Sequence, residues 1–357
     1  MLLPQLHCGS FVFPCLRVCF VLMKRLFYCV LVALALTACV PTPPPPAPQR
    51  ATPTPGLSVA HHIDLVVMPD AGAAWLLDRI AHARTRVLMK MYLLTDTRFI
   101  DALQTAQRNG AQVRVMLEPT PFGAIALAKK AFEQVKAAGL DVREANSEFR
   151  LTHEKSFVID NTAVILTANM TRSAFSRNRE FAAIIDDPAH VNEIAKSFDA
   201  DWNRTTFASV LPSLVWSPIN SRSRIKALIA SAQSSLTIYA LSVADDDLIT
   251  AIADDAKRGV KVRLIASPPS NTDGEDSDTV GLDKLQRAGA QVRLMTSPFI
   301  HAKIFVADER VAFSGSVNMS GASLDYNREL GILFDDASAI TKLMQTFEKD
   351  WGKAVER

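Results

Sequence analysis

The chain has 357 residues, with 39 Lys and Arg against 37 Asp and Glu and a formal net charge of +2. That length gives room for two domains of ordinary size, and the near-neutral balance excludes the basic excess by which proteins grip nucleic acid through charge alone. Cys8, Cys15, Cys19, Cys29 and Cys39 are the five cysteines, so everything after residue 39 lacks both a disulfide framework and a cysteine metal site.

Residues 1–39 read as a leader. From Met23 the sequence is MKRLFYCVLVALALTAC, in which Lys24 and Arg25 precede a short apolar run and small residues lead up to Cys39. A basic start, an apolar stretch too brief to span comfortably and a small-residue end make a secretory signal, with Met23 as the expected start. Leu36-Thr37-Ala38-Cys39 resembles a bacterial lipobox, which implies a lipidated Cys39 and an exported protein anchored to a bacterial membrane on its periplasmic or cell-surface face. The alternative is an uncleaved transmembrane anchor. Without Arg17, Lys24 and Arg25 the remaining chain has a net charge of about −1. Residues 40–57 form a Pro-rich linker, with eight prolines between Pro41 and Pro55, which predicts a stiff, extended spacer. Val40 stands where an aspartate would mark inner-membrane retention in enteric bacteria.

Beyond the linker, apolar strands alternate with amphipathic helical segments. Strands are expected at Ile63–Val67, Val87–Leu94 and Val113–Leu117, and helices at Ala71–Ala83 and Arg98–Arg108. The pattern then repeats. At a constant offset Pro69 matches Pro218, Asp96 matches Asp245, Arg114 matches Arg263, Glu180 matches Glu329 and Trp202 matches Trp351. Two copies of one unit are therefore expected, at 58–208 and 209–357, each an α/β layer structure with a mixed sheet flanked by helices. Trp202 and Trp351, each preceded by Asp, are expected to pack in the last helix of their units.

Each unit carries the same ordered residues. HEKSFVID (His153–Asp160) recurs as HAKIFVAD (His301–Asp308); LTAN (166–169) answers GSVN (315–318); and Asn178-Arg179-Glu180 answers Asn327-Arg328-Glu329. If each first motif is a strand, His153 projects with Lys155 and His301 with Lys303, while Asp160 and Asp308 fall at the opposite parity. An imidazole attacks or protonates near neutral pH, and an ammonium beside it holds an anionic oxygen. At opposite parity the aspartates are expected to hold a turn or a charge partner.

This set resembles the phospholipase D superfamily, whose signature is a duplicated HxK(x)4D followed by GSxN and a later glutamate. The resemblance runs from about Ser58 to the C-terminus. It implies two repeats packed about a pseudo-twofold axis, with both His-Lys pairs in one cleft of a single chain, and a metal-independent phosphodiesterase without cofactors. His153, Lys155, Asp160, His301, Lys303, Asp308, Glu180 and Glu329 then form the catalytic set. One histidine, taken as His153, forms a phosphohistidine, and the other, His301, is the acid and base; the reverse assignment stays open. Asn169, Asn318, Thr167 and Ser316 would bind the phosphoryl oxygens, and Glu180 and Glu329 would each fix an imidazole, in their own copy or the other. LTAN departs from the pattern: Leu166 lacks the freedom of glycine, and the segment from Asp160 to Asn169 is shorter by one residue than that from Asp308 to Asn318, so a tighter or displaced first turn is expected.

The leading expectation is hydrolysis or transfer of a phospholipid's phosphatidyl group at a membrane surface. The alternatives are an exported metal-independent endonuclease of the same superfamily and an inactive scaffold. Two loops are expected to rim the cleft: Glu118–Gly123, where Phe122 would touch acyl chains or membrane, and the acidic Asn271–Asp278.

Overall fold

A computed structural model describes residues 57–269 and 277–357, so residues 1–56 and all but the end of the Asn271–Asp278 loop lie outside the described residues. The first repeat runs β1 (Asp64–Met68), α1 (Ala74–Ala81), β2 (Arg86–Met91), α2 (Arg98–Arg108), β3 (Gln112–Leu117), α3 (Ile125–Ala137), β4 (Asp141–Glu144), β5 (Lys155–Ile159), β6 (Thr162–Leu166), α4 (Arg172–Ser176), β7 (Asn178–Ile185) and α5 (Pro188–Asn203). The second runs β8 (Leu214–Ser217), α6 (Ser221–Ser231), β9 (Ser235–Ala240), α7 (Asp246–Lys257), β10 (Lys261–Ala266), α8 (Ser277–Arg287), β11 (Gln291–Leu294), β12 (Phe299–Ile300), β13 (Ile304–Ala307), β14 (Val311–Gly315), α9 (Gly321–Asp325), β15 (Glu329–Phe334), α10 (Ala337–Trp351) and β16 (Val355–Glu356).

Local chemistry sets these boundaries. In α2 the buried positions Phe99, Ile100, Leu103 and Ala106 form one stripe, the 3.6-residue spacing of a helix lying on a sheet. Asp187 caps α5 by accepting from His190 N, with Pro188 in the first turn, and Asp336 caps α10 by accepting from Ser338 and Ala339 N. Strand β5 is buried throughout, because both faces of its sheet are covered.

The two sheets have the same plan. In the first the order is β1-β7-β6-β5-β2-β3-β4, and in the second β8-β15-β14-β13-β9-β10-β11, closed by β16. In each, three parallel strands (β2, β3, β4; β9, β10, β11) are joined to an antiparallel set, giving the mixed sheets expected. Helices α1 to α3 cover the outer face of one sheet and α6 to α8 that of the other, each over its own apolar core. A third core lies between the sheets and takes Phe181 and Phe198 from the first repeat with Trp216, Tyr239 and Phe347 from the second. The described residues accordingly form one compact body.

The tryptophans pack as expected. Trp202 stacks on Phe198 and Trp351 on Phe347, each pair 5.5 Å between centroids. The matched arginines Arg114 and Arg263 lie over these pairs at 5.0–5.6 Å, so Arg114 and Arg263 contribute to packing. The single-residue length difference between the copies falls in a hairpin turn: Ile159 pairs with Thr162 across two residues, whereas Ala307 pairs with Val311 across three.

Candidate active site

The motif histidines sit outside the strands. β5 begins at Lys155 and β13 at Ile304, so strand alternation is not what brings His153 or His301 into place. Pairing with the other repeat does that. His153 N and Glu154 N both donate to Arg328 O at 2.9 Å, and Arg328 N donates to Leu151 O at 2.8 Å. On the other side β12 lies parallel to the start of β7, and His301 N donates to Arg179 O at 3.3 Å. The residue after each arginine is the glutamate, so each repeat delivers its carboxylate to the other repeat's imidazole. Glu329 meets His153 Nδ1 at 2.9 Å and Glu180 meets His301 Nδ1 at 2.8 Å. In this crossed pairing each glutamate meets the histidine of the other repeat. A carboxylate at Nδ1 fixes the proton there and leaves the lone pair on Nε2.

The lysines complete one electrostatic unit. Lys155 Nζ donates to His153 O and Lys303 Nζ to His301 O, both at 2.5 Å. Burial pulls Lys155 down to about 7, assisted by Lys303, and pulls Lys303 down to about 8. Burial also brings His153 down to about 4 against the opposing pull of Glu329, and lowers His301 against Glu180. Burial alone would raise the two glutamates, but each is held below its ordinary value, Glu180 by His301 and Lys303 and Glu329 by His153 and Lys155. Near neutral pH the site therefore holds neutral imidazoles, ionised carboxylates and two lysines close to losing their protons, whose charged forms an entering anion would stabilise.

Asn169 and Asn318 follow the ends of β6 and β14. Their Oδ1 atoms are buried without a protein partner. Among the described residues no group of three or more His, Cys, Asp or Glu is arranged to hold a metal ion.

The expected roles of Thr167 and Ser316 are corrected, and Asp160 and Asp308, counted in the catalytic set through the resemblance, instead hold turns as their parity implied. Thr167 and Ser316 serve the glutamates instead of substrate: Thr167 Oγ1 donates to Glu180 Oε2 at 2.5 Å and accepts from Phe181 N, while Ser316 Oγ accepts from Leu330 N at 3.1 Å and lowers Glu329 by hydrogen bonding. Both are fully buried. Asp160 and Asp308 take no place beside the imidazoles. Each has a left-handed backbone, with φ of 51° and 52°, in the hairpin turn after its strand. The Asp160 carboxylate accepts from the backbone N–H groups of Arg84, Thr85 and Arg86, and that of Asp308 from Gln233, Ser234 and Ser235. These carboxylates tie the hairpins to the starts of β2 and β9.

The expected displacement of the LTAN turn is also corrected. Thr167 N reaches Phe181 O and Ser316 N reaches Leu330 O, both at 2.9 Å, and the turns continue identically through Thr171 N to Asn169 O and Ser320 N to Asn318 O. Gly315 pairs with Gly331 across β14 and β15, and a Cβ on Gly315 would meet Gly331 Cα at 2.4 Å. A Cβ on Gly331 would in turn meet Phe313. In the first repeat the same three positions are Leu166, Ala182 and Val164, all fully buried. A smaller Val164 makes room for Ala182 and Leu166, so the glycine answers packing and not turn geometry.

Sequence reasoning missed a second set of buried groups. Arg328 makes a two-pronged ion pair with Asp201 at 2.9 Å, and Asp201 also receives Lys90 at 2.6 Å; Lys90 reaches Glu154 at 3.0 Å. In the mirror position Arg179 pairs with Asp350 at 2.6 and 2.9 Å, and Asp350 receives Tyr239 Oη at 2.7 Å. Each Asp is the one before the matched Trp, and each Arg stands in the Asn-Arg-Glu triplet, so the duplication itself was the available signal. Tyr92 was missed too. Its ring meets that of His153 edge-on at 4.6 Å, Lys155 lies 4.9 Å over its face, and its hydroxyl accepts from Phe122 N at 2.7 Å. The second copy has Leu241 at that position, so no repeat marked it. Glu118 anchors the same loop, accepting from Thr152 N at 2.6 Å and Thr120 N at 2.9 Å.

Comparison with known proteins agrees with this geometry. The family described as "Cardiolipin synthase, PLD-like domain" matches twice, at residues 76–202 and 225–351. The chain is 25% identical over 325 residues to cardiolipin synthase 2 of Bacillus cereus, covering 79% of this chain and 63% of that protein. It is 24% identical over 319 residues to the major cardiolipin synthase ClsA of Bacillus subtilis, covering 77% and 66%. The chain thus spans about two thirds of the length of these relatives or slightly less. Among solved structures, phosphatidylserine synthase of Haemophilus influenzae superposes with a TM-score of 0.65 at 14% identity, covering 85% of this chain and 90% of that one. Two family matches in tandem, on two sheets of identical order whose motifs meet across the interface, place this chain in the phospholipase D superfamily, with the cardiolipin synthase-type domains.

Proposed function

We propose that the chain is a phosphodiesterase of phospholipase D type that hydrolyses or transfers the phosphatidyl group of phospholipids. The observation that carries this reading is the crossed pair His153–Glu329 and His301–Glu180 with Lys155 and Lys303 beside them. The anionic charge of a bound phosphodiester draws a proton from solvent onto His301 Nε2; His153 Nε2 then attacks phosphorus, the bond to the leaving alcohol breaks, and His301 gives that oxygen this proton. In the second step His301 takes a proton from water or an acceptor alcohol, whose oxygen attacks phosphorus and frees His153. Lys155, Lys303, Asn169 and Asn318 hold the phosphoryl oxygens. Relatives that are cardiolipin synthases support a lipid substrate, as does a body with no basic excess.

Purified full-length protein should turn over mixed phospholipids and leave single-stranded and duplex DNA intact; cleavage of DNA with untouched lipid would sink the lipid reading. His153→Ala and His301→Ala should each remove nearly all turnover, by about 10³-fold or more, with the double variant little worse. Given an activated phosphodiester whose leaving group needs no proton, His301→Ala should accumulate phosphate on His153, and label on His301 in a His153→Ala protein would reverse the roles.

We also propose export and lipid anchoring through Cys39, supported by the leader and Pro-rich linker. Among the described residues no helix is long and apolar enough to cross a membrane. Fatty-acid labelling should be lost in Cys39→Ser; equal labelling of both proteins would remove the anchor.

A further inference from the structure

The segment Phe122–Leu127 reads Phe-Gly-Ala-Ile-Ala-Leu, and its large side chains face outward: Phe122 is 91% exposed, Ile125 59% and Leu127 49%. Nowhere else among the described residues do three large exposed apolar side chains fall so close together in sequence. α3 is fixed to the core by Ala128, Ala131 and Val135, so Phe122, Ile125 and Leu127 are surplus to its packing. The first turn carries no acidic residue and no side-chain cap, and Lys129 and Lys130 follow, both exposed. An apolar patch backed by cations is an unfavourable surface in water and a good one at an anionic lipid interface.

Its place matters as much as its composition. Phe122 N donates to Tyr92 Oη at 2.7 Å, and the Tyr92 ring meets His153 at 4.6 Å. The apolar segment is thus one side chain away from the imidazole that attacks phosphorus. A bilayer phospholipid keeps its phosphodiester at headgroup depth and its chains below, so a protein that works on it benefits from apolar groups beside the cleft.

We propose that Phe122–Lys130 is the face on which the cleft docks to an anionic phospholipid bilayer, with Phe122, Ile125 and Leu127 entering the acyl region and Lys129 and Lys130 meeting headgroups. This rests on the phospholipid reading above and names the surface through which it operates. A protein partner is the competing occupant, but an apolar turn backed by two adjacent lysines beside the mouth of a lipid-processing cleft favours the bilayer.

Two measurements on the full chain test it. In Phe122→Trp, emission above the wild-type background should be quenched by vesicles of phosphatidylethanolamine and phosphatidylglycerol with brominated acyl chains. Absence of quenching would overturn docking, whether or not lipid is turned over. In the second, Phe122, Ile125 and Leu127 are all changed to Ser. Turnover of vesicle lipid should fall by about tenfold or more, while turnover of a short-chain phospholipid kept monomeric stays within about twofold of wild type. Equal losses on both substrates would place the effect in the site and overturn docking, as would unchanged vesicle turnover. Quenching in a protein that processes no phospholipid would uphold the docking face and remove the functional reading instead.

Discussion

At the scale of single residues the two repeats solve one charge problem in two ways. Arg328 and Lys90 place two cations against Asp201, and Glu154 supplies the second carboxylate. In the mirror site Arg179 alone faces Asp350; Tyr239 replaces Lys90 with a neutral hydroxyl, and Ala302 stands where Glu154 would be. Both Lys90 and Glu154 are about 1% exposed, so each depends on the other for neutrality. Breaking a buried ion pair from one side costs about 3–5 kcal/mol, while exchanging the whole pair costs far less. Lys90→Tyr and Glu154→Ala are therefore each expected to destabilise the fold by about 3 kcal/mol, and the double variant, which copies the second repeat, to recover most of the loss. Urea unfolding of the four proteins gives the coupling energy. Additive losses would show that Lys90 and Glu154 do not balance each other.

At the scale of elements the sequence was legible wherever periodicity carried the information. The helix expected at Arg98–Arg108 matches α2 to the residue, and the expected early strands agree with β1, β2 and β3 apart from residues at their ends. The duplication gave the two mixed sheets. What periodicity could not supply was contact between repeats. His153 and His301 owe their positions to backbone bonds with Arg328 and Arg179, partners well over a hundred residues away, and the glutamate crossing follows from those bonds. Thr167 and Ser316 were misread for the same reason, since the carboxylates they serve arrive on the neighbouring strand. Leu166 was misread because its freedom depends on Val164 and Ala182, a volume exchange with Phe313 and Gly331 that no single position reveals. It follows that restoring the family's glycine should harm this protein. Leu166→Gly is expected to cost about 3–5 kcal/mol through the cavity it leaves and the backbone freedom it adds. Thermal unfolding with activity below the melting range checks this. A stabilised or neutral variant would return the glycine to the role of a turn former.

At the scale of the whole molecule, the interface between repeats concentrates like charges for which the folded chain has a cost. Lys155 and Lys303 are at most 2% exposed, and burial lowers them from 10.5 to about 7 and about 8. In the unfolded chain each keeps its proton until about pH 10.4; folded, they release theirs near pH 7 and 8. The unfolded state therefore binds more protons between these limits, and stability must rise with pH, by up to about 1.4 kcal/mol per pH unit for each lysine. The cost is fully present below pH 7 and is relieved as pH climbs. Unfolding by urea between pH 7 and 9.5 should show this positive slope, opposite to the decline expected if the lysines gained favourable partners on folding. Inorganic phosphate should flatten it, because an anion between the two ammonium groups raises both pKa values toward their unfolded ones. Replacing Lys155 and Lys303 together by Met should remove the slope along with activity. A flat profile in the wild type would mean that the ammonium groups are not buried against each other, and with it the single cleft between the repeats would fall.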